Sequence, residues 1–272
     1  MSAFPERLVL LGHPLGHSLS PVFQNAALKA ADIPLTYELV DVPRSALPDA
    51  IGSLRRSRAA GNVTIPHKEA ILAACDRLSA TAKAVGAVNT FWIAVDGALV
   101  GDNTDVGGFR AALAKLLGAP RPNEVVALFG AGGAAAAVLH AMEGWQNPRV
   151  HVYSRTQRRA EDLMRRFRVP GEVSRSAEDA VEGATLVVNA TPVGLRDDTV
   201  PVSAHALPKS CAVLDLAYRP GETALVRDAR ARGHAAMDGL TMLVEQGALA
   251  FEQWFGVAPD RDVMWKAVTQ RR

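Results

Sequence analysis

Residues 125–142 limit what this chain can fold into more than any other stretch: they hold no Asp, Glu, Lys or Arg, and Gly130, Gly132 and Gly133 interrupt them. Such a run lies near the lower bound for a membrane span, roughly 17–25 residues. The glycines argue against a span, because they divide the run into an apolar, β-branched start, a tight turn and an Ala-rich helix. A strand that ends in glycines and opens a helix can cradle a phosphate, since backbone amides and the helix dipole both face the anion. The turn reads Gly130-Ala131-Gly132-Gly133-Ala134-Ala135, with alanine at the third glycine of G-x-G-x-x-G. Taken alone, it therefore also fits a merely tight strand-helix turn.

The surrounding pattern strengthens the nucleotide reading. Strand-like segments at 124–130, 149–154, 185–190 and 211–217 alternate with helical ones at 133–143, 156–167 and 222–232. That order predicts a doubly wound, Rossmann-like sheet. Upstream, strands are expected at 7–12, 35–42 and 62–65, with helices at 21–31, 45–58 and 66–86, and Ser20 reads as the cap of the first helix. Residues 87–95 and 98–101 flank Asp96-Gly97, a type I′ hairpin signal that makes this sheet mixed. A helix over 105–117 ends at Gly118, and the proline-containing stretch 119–123 has the composition of a linker or element break, so composition puts the domain boundary near there. The expected architecture is α/β with two domains. A mixed-sheet substrate domain occupies 1–105, a doubly wound nucleotide domain 106–238, and C-terminal helices over 239–272 return to the first domain.

Charge excludes one class of partner. Thirty Lys and Arg against 28 Asp and Glu leave a net charge of +2, too little to hold nucleic acid by phosphate neutralisation. Cys75 and Cys211 form no disulfide framework, and residues 1–20 lack a basic start followed by a long apolar stretch, so a reducing cytoplasmic setting without a membrane is expected. His13 and His17 suggest a metal pair, but Pro14 and Gly16 spoil the helical spacing such a pair needs, and no metal is expected. Monomer and homodimer both remain open.

Cofactor choice is written after the second strand of the nucleotide domain, at Ser154-Arg155-Thr156, with Arg158 and Arg159 following and no acid. NAD-preferring proteins keep a carboxylate there for the ribose hydroxyls, whereas arginine attracts a 2′-phosphate. NADP is favoured over NAD, although a solvated helix start explains Arg158 equally well. In the first domain, polar residues gather where strands end, in Gly12–Pro21, Gly61–Lys68 and Gly101–Asp105. Such ends line ligand crevices in α/β sheets. The residues by themselves thus point to a nucleotide-linked enzyme with a polar substrate.

Together the motifs closely resemble the shikimate dehydrogenase family: HSLSP at 17–21, NVTIPHK at 62–68, GAVNT at 86–90, GDNTD at 101–105, GAGGAA at 130–135, SRT at 154–156, NATPVG at 189–194 and QGALAFE at 246–252. The resemblance implies NADPH-dependent, reversible reduction of 3-dehydroshikimate to shikimate, with Lys68 and Asp105 as the catalytic pair. It implies that Ser18, Ser20, Thr64, Asn89 and Gln246 bind the substrate beside that pair, with Tyr218 near the carboxylate. For the cofactor it implies the turn Gly130, Ala131, Gly132, Gly133 and Ala134, the phosphate contacts Ser154, Arg155, Thr156 and Arg159, and a second wall of Ala190, Thr191, Ala217, Gly239 and Met242. Two departures occur, Gln24 where many members have His and Ser154 where many have Asn. Lys68 also fits a solvated lysine and Asp105 a helix cap; Met242 also fits a core residue. His67 has a side chain suited to general acid work, yet Lys68 is expected to be the donor and His67 dispensable for turnover. Three alternatives remain: an NAD- or dual-cofactor quinate/shikimate dehydrogenase, a catalytically silent NADP or metabolite sensor, and a folate-linked dehydrogenase, which would not need the two serines.

Overall fold

The computed structural model describes residues 4–270. The chain divides into two compact units, one built from the residues up to Gly108 with those from Leu243 onward, the other from Phe109–Met242. It passes between them inside two helices rather than at the proline-containing stretch 119–123, which only separates a helix from the next strand.

The first unit runs β1 (Arg7–Gly12), α1 (Ser20–Ala30), β2 (Tyr37–Asp41), α2 (Leu47–Arg56), β3 (Ala59–Val63), β4 (Arg77–Leu78), α3 (Ala80–Val85), β5 (Thr90–Ile93), β6 (Leu99–Asp102) and the start of α4 (Asp105–Leu117). Its sheet has the order β2-β1-β3-β5-β6-β4. β5 runs antiparallel to β3 and β6, and the other pairs are parallel, so the sheet is mixed as expected. Val9, Leu11, Val63, Phe91 and Leu99 lie in one buried cluster with Leu54 of α2. Each such large side chain contributes roughly 1.5–3 kcal/mol relative to exposure.

Several local expectations need correction. Residues 66–86 are not one helix: a single 3-10 turn at Ile71–Ala74 is followed by β4, and α3 starts afresh where the Ser79 hydroxyl accepts from Ala82 N. Pairing of Arg77 with Val100 and Leu78 with Gly101 overrides the helical propensity of this Ala-rich stretch. The hairpin is not type I′, which needs positive φ at both central residues. Only Gly97 has it, at φ 83°, and Ala94 pairs with Ala98, giving a three-residue loop that ends in a left-handed glycine. Ser20 lies inside α1 rather than capping it; the Ser18 hydroxyl accepts from Ser20 N at 3.2 Å. β3 starts and ends earlier than 62–65, because its small residues Ala59, Ala60 and Gly61 carry no strand-like pattern.

The second unit runs from the rest of α4 through β7 (Val125–Phe129), α5 (Gly133–Met142), β8 (Arg149–Tyr153), α6 (Gln157–Arg166), β9 (Gly171–Val173), α7 (Ala177–Val181), β10 (Leu186–Asn189), β11 (Ala212–Asp215), α8 (Ala224–Ala231) and β12 (Ala236–Met237). All its strands are parallel, in the order β12-β11-β10-β7-β8-β9. That is the doubly wound order, with the direction of winding reversing between β7 and β10. The short elements β9, α7 and β12 are additions to the expected set, too brief to show a period. Ala127, Phe129, Val187, Val213 and Leu225 anchor the core.

Two further helices complete the chain, α9 (Leu240–Phe255) and α10 (Arg261–Thr269). In the first unit α10 packs on α1, and Gln24 of α1 donates to Gly247 O of α9 at 2.9 Å. Among the described residues no helix is long and apolar enough to cross a membrane.

Candidate active site

Strand register brings the polar segments of the first unit to one end of its sheet. β1 and β3 finish together, with Leu11 opposite Val63. Because β5 is antiparallel, its start and the end of β6 lie at that same end, with Thr90 opposite both Asn62 and Asp102. The loop after β1, the turn after β3, Asn89 before β5 and the Asn103-Thr104-Asp105 segment after β6 therefore converge.

At this end Lys68 Nζ donates to Asp105 Oδ2 at 2.6 Å, with the lysine side chain 19% exposed and the aspartate 5%. Asp105 opens α4, where the helix dipole favours a carboxylate. It does not itself cap the helix: Asn103 Oδ1 accepts from Asp105 N at 3.1 Å, leaving both Asp105 oxygens for side chains. Asn89 organises the rest. Its Oδ1 accepts from Thr104 N at 2.7 Å, which fixes which way the amide faces. Its Nδ2 then meets Thr104 Oγ1 at 2.9 Å, Asp105 Oδ1 at 2.9 Å and Gln246 Oε1 at 3.1 Å. Two hydrogens face three acceptors, so one acceptor is always left for another donor, such as a substrate hydroxyl.

Beneath this layer Asn62 donates to Asn89 O at 3.2 Å, and the Tyr37 hydroxyl donates to Asn62 Oδ1 at 2.8 Å. Burial pushes the Tyr37 phenol far above its ordinary range, so it stays a neutral donor. Sequence reasoning assigned no role to Tyr37, Asn62, Asn103 or Thr104, although the last three lie inside the polar motifs. Ser18 is half-buried and Ser20 buried. Their loop is tied down by Asp41, which accepts from Leu15 N at 3.0 Å and pairs with His13. The His13 hydrogen bond holds the Asp41 carboxyl below the usual carboxylate range. Thr64 follows β3, its N–H bonded to Leu11 O.

His67 is fully buried, and its Nε2 lies 2.6 Å from Val42 O, a contact that requires the N–H on that nitrogen. His67→Ala removes this bond and leaves a buried carbonyl unpaired, so a loss of about 1–3 kcal/mol in urea unfolding is expected. Turnover of the folded fraction is expected to stay near that of the parent; a fall in kcat like that of a Lys68 variant would overturn this placement.

The second unit offers a cradle for a dinucleotide. Gly130 leaves β7 at φ 114°, and a Cβ there would lie 2.9 Å from Ala190 O. Gly132 occupies the cap position of α5 with no side-chain cap, and a Cβ there would meet nothing within 4 Å. Open space in front of a helix start suits a pyrophosphate, and Ala131, Gly133 and Ala134 are half-buried around it. At the end of β8, Ser154 is half-buried while Arg155, Thr156 and Arg159 are exposed, and no acid lies in the first turn of α6. This donor set fits a 2′-phosphate. Beyond the switch point, Ala190 and Thr191 follow β10, and Ala217 and Tyr218 follow β11. Ala217 O accepts from Gly239 N at 2.9 Å, and Met242 is buried, ending this unit. The unit division thus assigns Tyr218 to the second unit and the other substrate candidates to the first.

Family models match the chain in two stretches, both almost wholly within the first unit. Residues 10–91 match the family described as shikimate dehydrogenase substrate binding domain, and residues 239–269 match the shikimate 5′-dehydrogenase C-terminal domain. Over 95% of its length the chain is 43% identical to a shikimate dehydrogenase (NADP(+)) of Methylobacterium radiotolerans, 94% of which is covered. A solved shikimate 5-dehydrogenase of Thermus thermophilus, in complex with NADP(H) and shikimate, superposes with a TM-score of 0.86 at 42% identity, covering 97% of this chain and 98% of that one. A quinate dehydrogenase from Corynebacterium glutamicum in complex with NAD gives 0.85 at 31% identity, covering 98% and 99%.

Proposed function

The chain belongs to the shikimate dehydrogenase family, and from that premise we propose that it catalyses the NADPH-dependent, reversible reduction of 3-dehydroshikimate to shikimate through Lys68 and Asp105. The observation that carries the chemistry is the Lys68–Asp105 contact of 2.6 Å at the sheet end where the polar segments converge. NADPH, when bound, supplies a hydride to the carbonyl carbon. Lys68 Nζ has three N–H donors, one of them engaged by Asp105, and another is free to pass a proton to the carbonyl oxygen as it becomes a hydroxyl. In the reverse direction the same nitrogen takes the hydroxyl proton. Asp105 orients the ammonium through Oδ2 while Asn89 steadies Oδ1. Ser18, Ser20, Thr64, Asn89 and Gln246 bind the ring hydroxyls and carboxylate, with Tyr218 beside the carboxylate. The turn Gly130–Ala134 would hold the pyrophosphate of the dinucleotide, Ser154, Arg155, Thr156 and Arg159 would take its 2′-phosphate, and Ala190, Thr191, Ala217, Gly239 and Met242 would line its other half. The first domain binds the substrate and the second the cofactor. Work in the reducing cytoplasm agrees with the two free thiols, Cys75 and Cys211.

The test is the initial rate of cofactor reduction with shikimate and with quinate, each against NADP and NAD. Turnover confined to shikimate with NADP is expected. Comparable rates with quinate or NAD would place the chain in the quinate/shikimate branch, and NADP binding without turnover would make it a sensor.

A further inference from the structure

Two polar side chains of the second unit are fully buried and have no part in the chemistry above: Asn189 at the end of β10 and Asp215 at the end of β11. Strand pairing sets them directly opposite each other. Asp215 Oδ1 accepts from Asn189 Nδ2 at 2.8 Å and from Ala217 N at 3.0 Å. Its other oxygen, Oδ2, is buried, and the fully buried Thr223 hydroxyl faces the carboxyl. Asn189 is held from both sides. Its Oδ1 accepts from Thr191 N at 3.0 Å and from the Thr191 hydroxyl at 2.6 Å, and its Nδ2 also donates to Val193 O at 3.1 Å. Ala217 passes the constraint on to Gly239, where a Cβ would come within 2.1 Å of Leu216 O. The turns after β10 and β11 and the segment at Gly239 therefore hang from one buried pair.

A carboxyl in the interior is costly, and an apolar residue of similar size would pack there without shaping either turn. Burial pushes the Asp215 carboxyl up, against smaller downward pulls from the Thr223 hydroxyl, the Ala217 amide and the Asn189 amide. The turns it shapes lie on the opposite side of β7 from Arg155. A dinucleotide whose 2′-phosphate sits at β8 extends its nicotinamide half toward β10 and β11. We propose that Asp215, acting through Asn189, is a positioning residue for the nicotinamide half of NADP: it holds the turns at Ala190–Thr191 and Leu216–Ala217 in one arrangement. This rests on the reading of the second unit as the NADP site.

The experiment titrates NADPH into the full-length chain, following the fluorescence of the nicotinamide, for the parent, Asp215→Ala and Asp215→Asn, with KM for NADP and for shikimate measured alongside. Asp215→Ala is expected to weaken NADPH binding about tenfold, the scale of one lost hydrogen bond to a charged group, with the shikimate KM within about twofold. Asp215→Asn, which keeps Oδ1 as an acceptor, is expected to recover most of the binding. A folded Asp215→Ala protein that binds NADPH like the parent would overturn the proposal, as would equal losses for NADPH and shikimate. If circular dichroism shows that Asp215→Ala does not fold, Asn189→Ala takes its place with the same expected and overturning results. Absence of shikimate turnover by the parent would overturn the proposed reaction instead, since the titration does not depend on which alcohol is oxidised.

Discussion

Lys68→Ala is expected to lower kcat by about 10²–10⁴, the usual range for a lost general acid-base group. The physical basis is positional: no other described cation is paired with Asp105, and the nearby His67 is buried and engaged with Val42. Asp105 itself tolerates the loss, because Asn89 still donates to Oδ1 and the start of α4 still favours negative charge. The variant should therefore fold and retain most of its substrate affinity. Lys68→Arg separates charge from proton transfer. Guanidinium keeps the positive charge and can pair with Asp105, yet it does not give up a proton near neutral pH. Steady-state rates in both directions should leave Lys68→Arg nearly as slow as Lys68→Ala. An arginine variant close to the parent would reduce the role of Lys68 to electrostatic support.

Arg155→Asp is expected to shift the ratio of kcat/KM for NADP over NAD by about 10- to 150-fold, from the loss of one charge-assisted contact worth roughly 1.5–3 kcal/mol. Arg155 is exposed at the end of β8, next to the start of α6, where no acid offsets it. A carboxylate in its place repels a 2′-phosphate and can accept from ribose hydroxyls, so the two cofactors should move in opposite directions. The measurement is kcat/KM for both cofactors, with the shikimate KM as the internal control. An unchanged ratio would assign Arg155 to the solvated face of the helix start and shift the phosphate contact to Arg159.

Much of the fold was legible because its signals are local. α4 occupies the expected 105–117, and the glycine turn separates β7 from α5 as the break in the apolar run requires. Misreadings arose where a distant partner outweighed a local preference. The Ala-rich residues after Pro66 look helical, but β4 gains backbone hydrogen bonds from β6 that no neighbouring residue reveals. Likewise His67 has the chemistry of a proton donor, and only its burial against Val42 removes it. Gln24, a departure from the common family pattern, lies wholly inside the fold, linking α1 to α9.

The sequence by itself determined the period of each major element, the glycine turn, the basic and acid-free end of β8, and the motifs that carry the family resemblance, because all of these depend on residues a few positions apart. Tertiary structure alone decided which polar groups meet. Lys68 reaches Asp105, Asn89 reaches Gln246, and Asn189 reaches Asp215 only because strand order and register bring distant positions within hydrogen-bond distance. A hydrogen bond demands a separation near 3 Å and a favourable angle, and local pattern does not encode either across such spans.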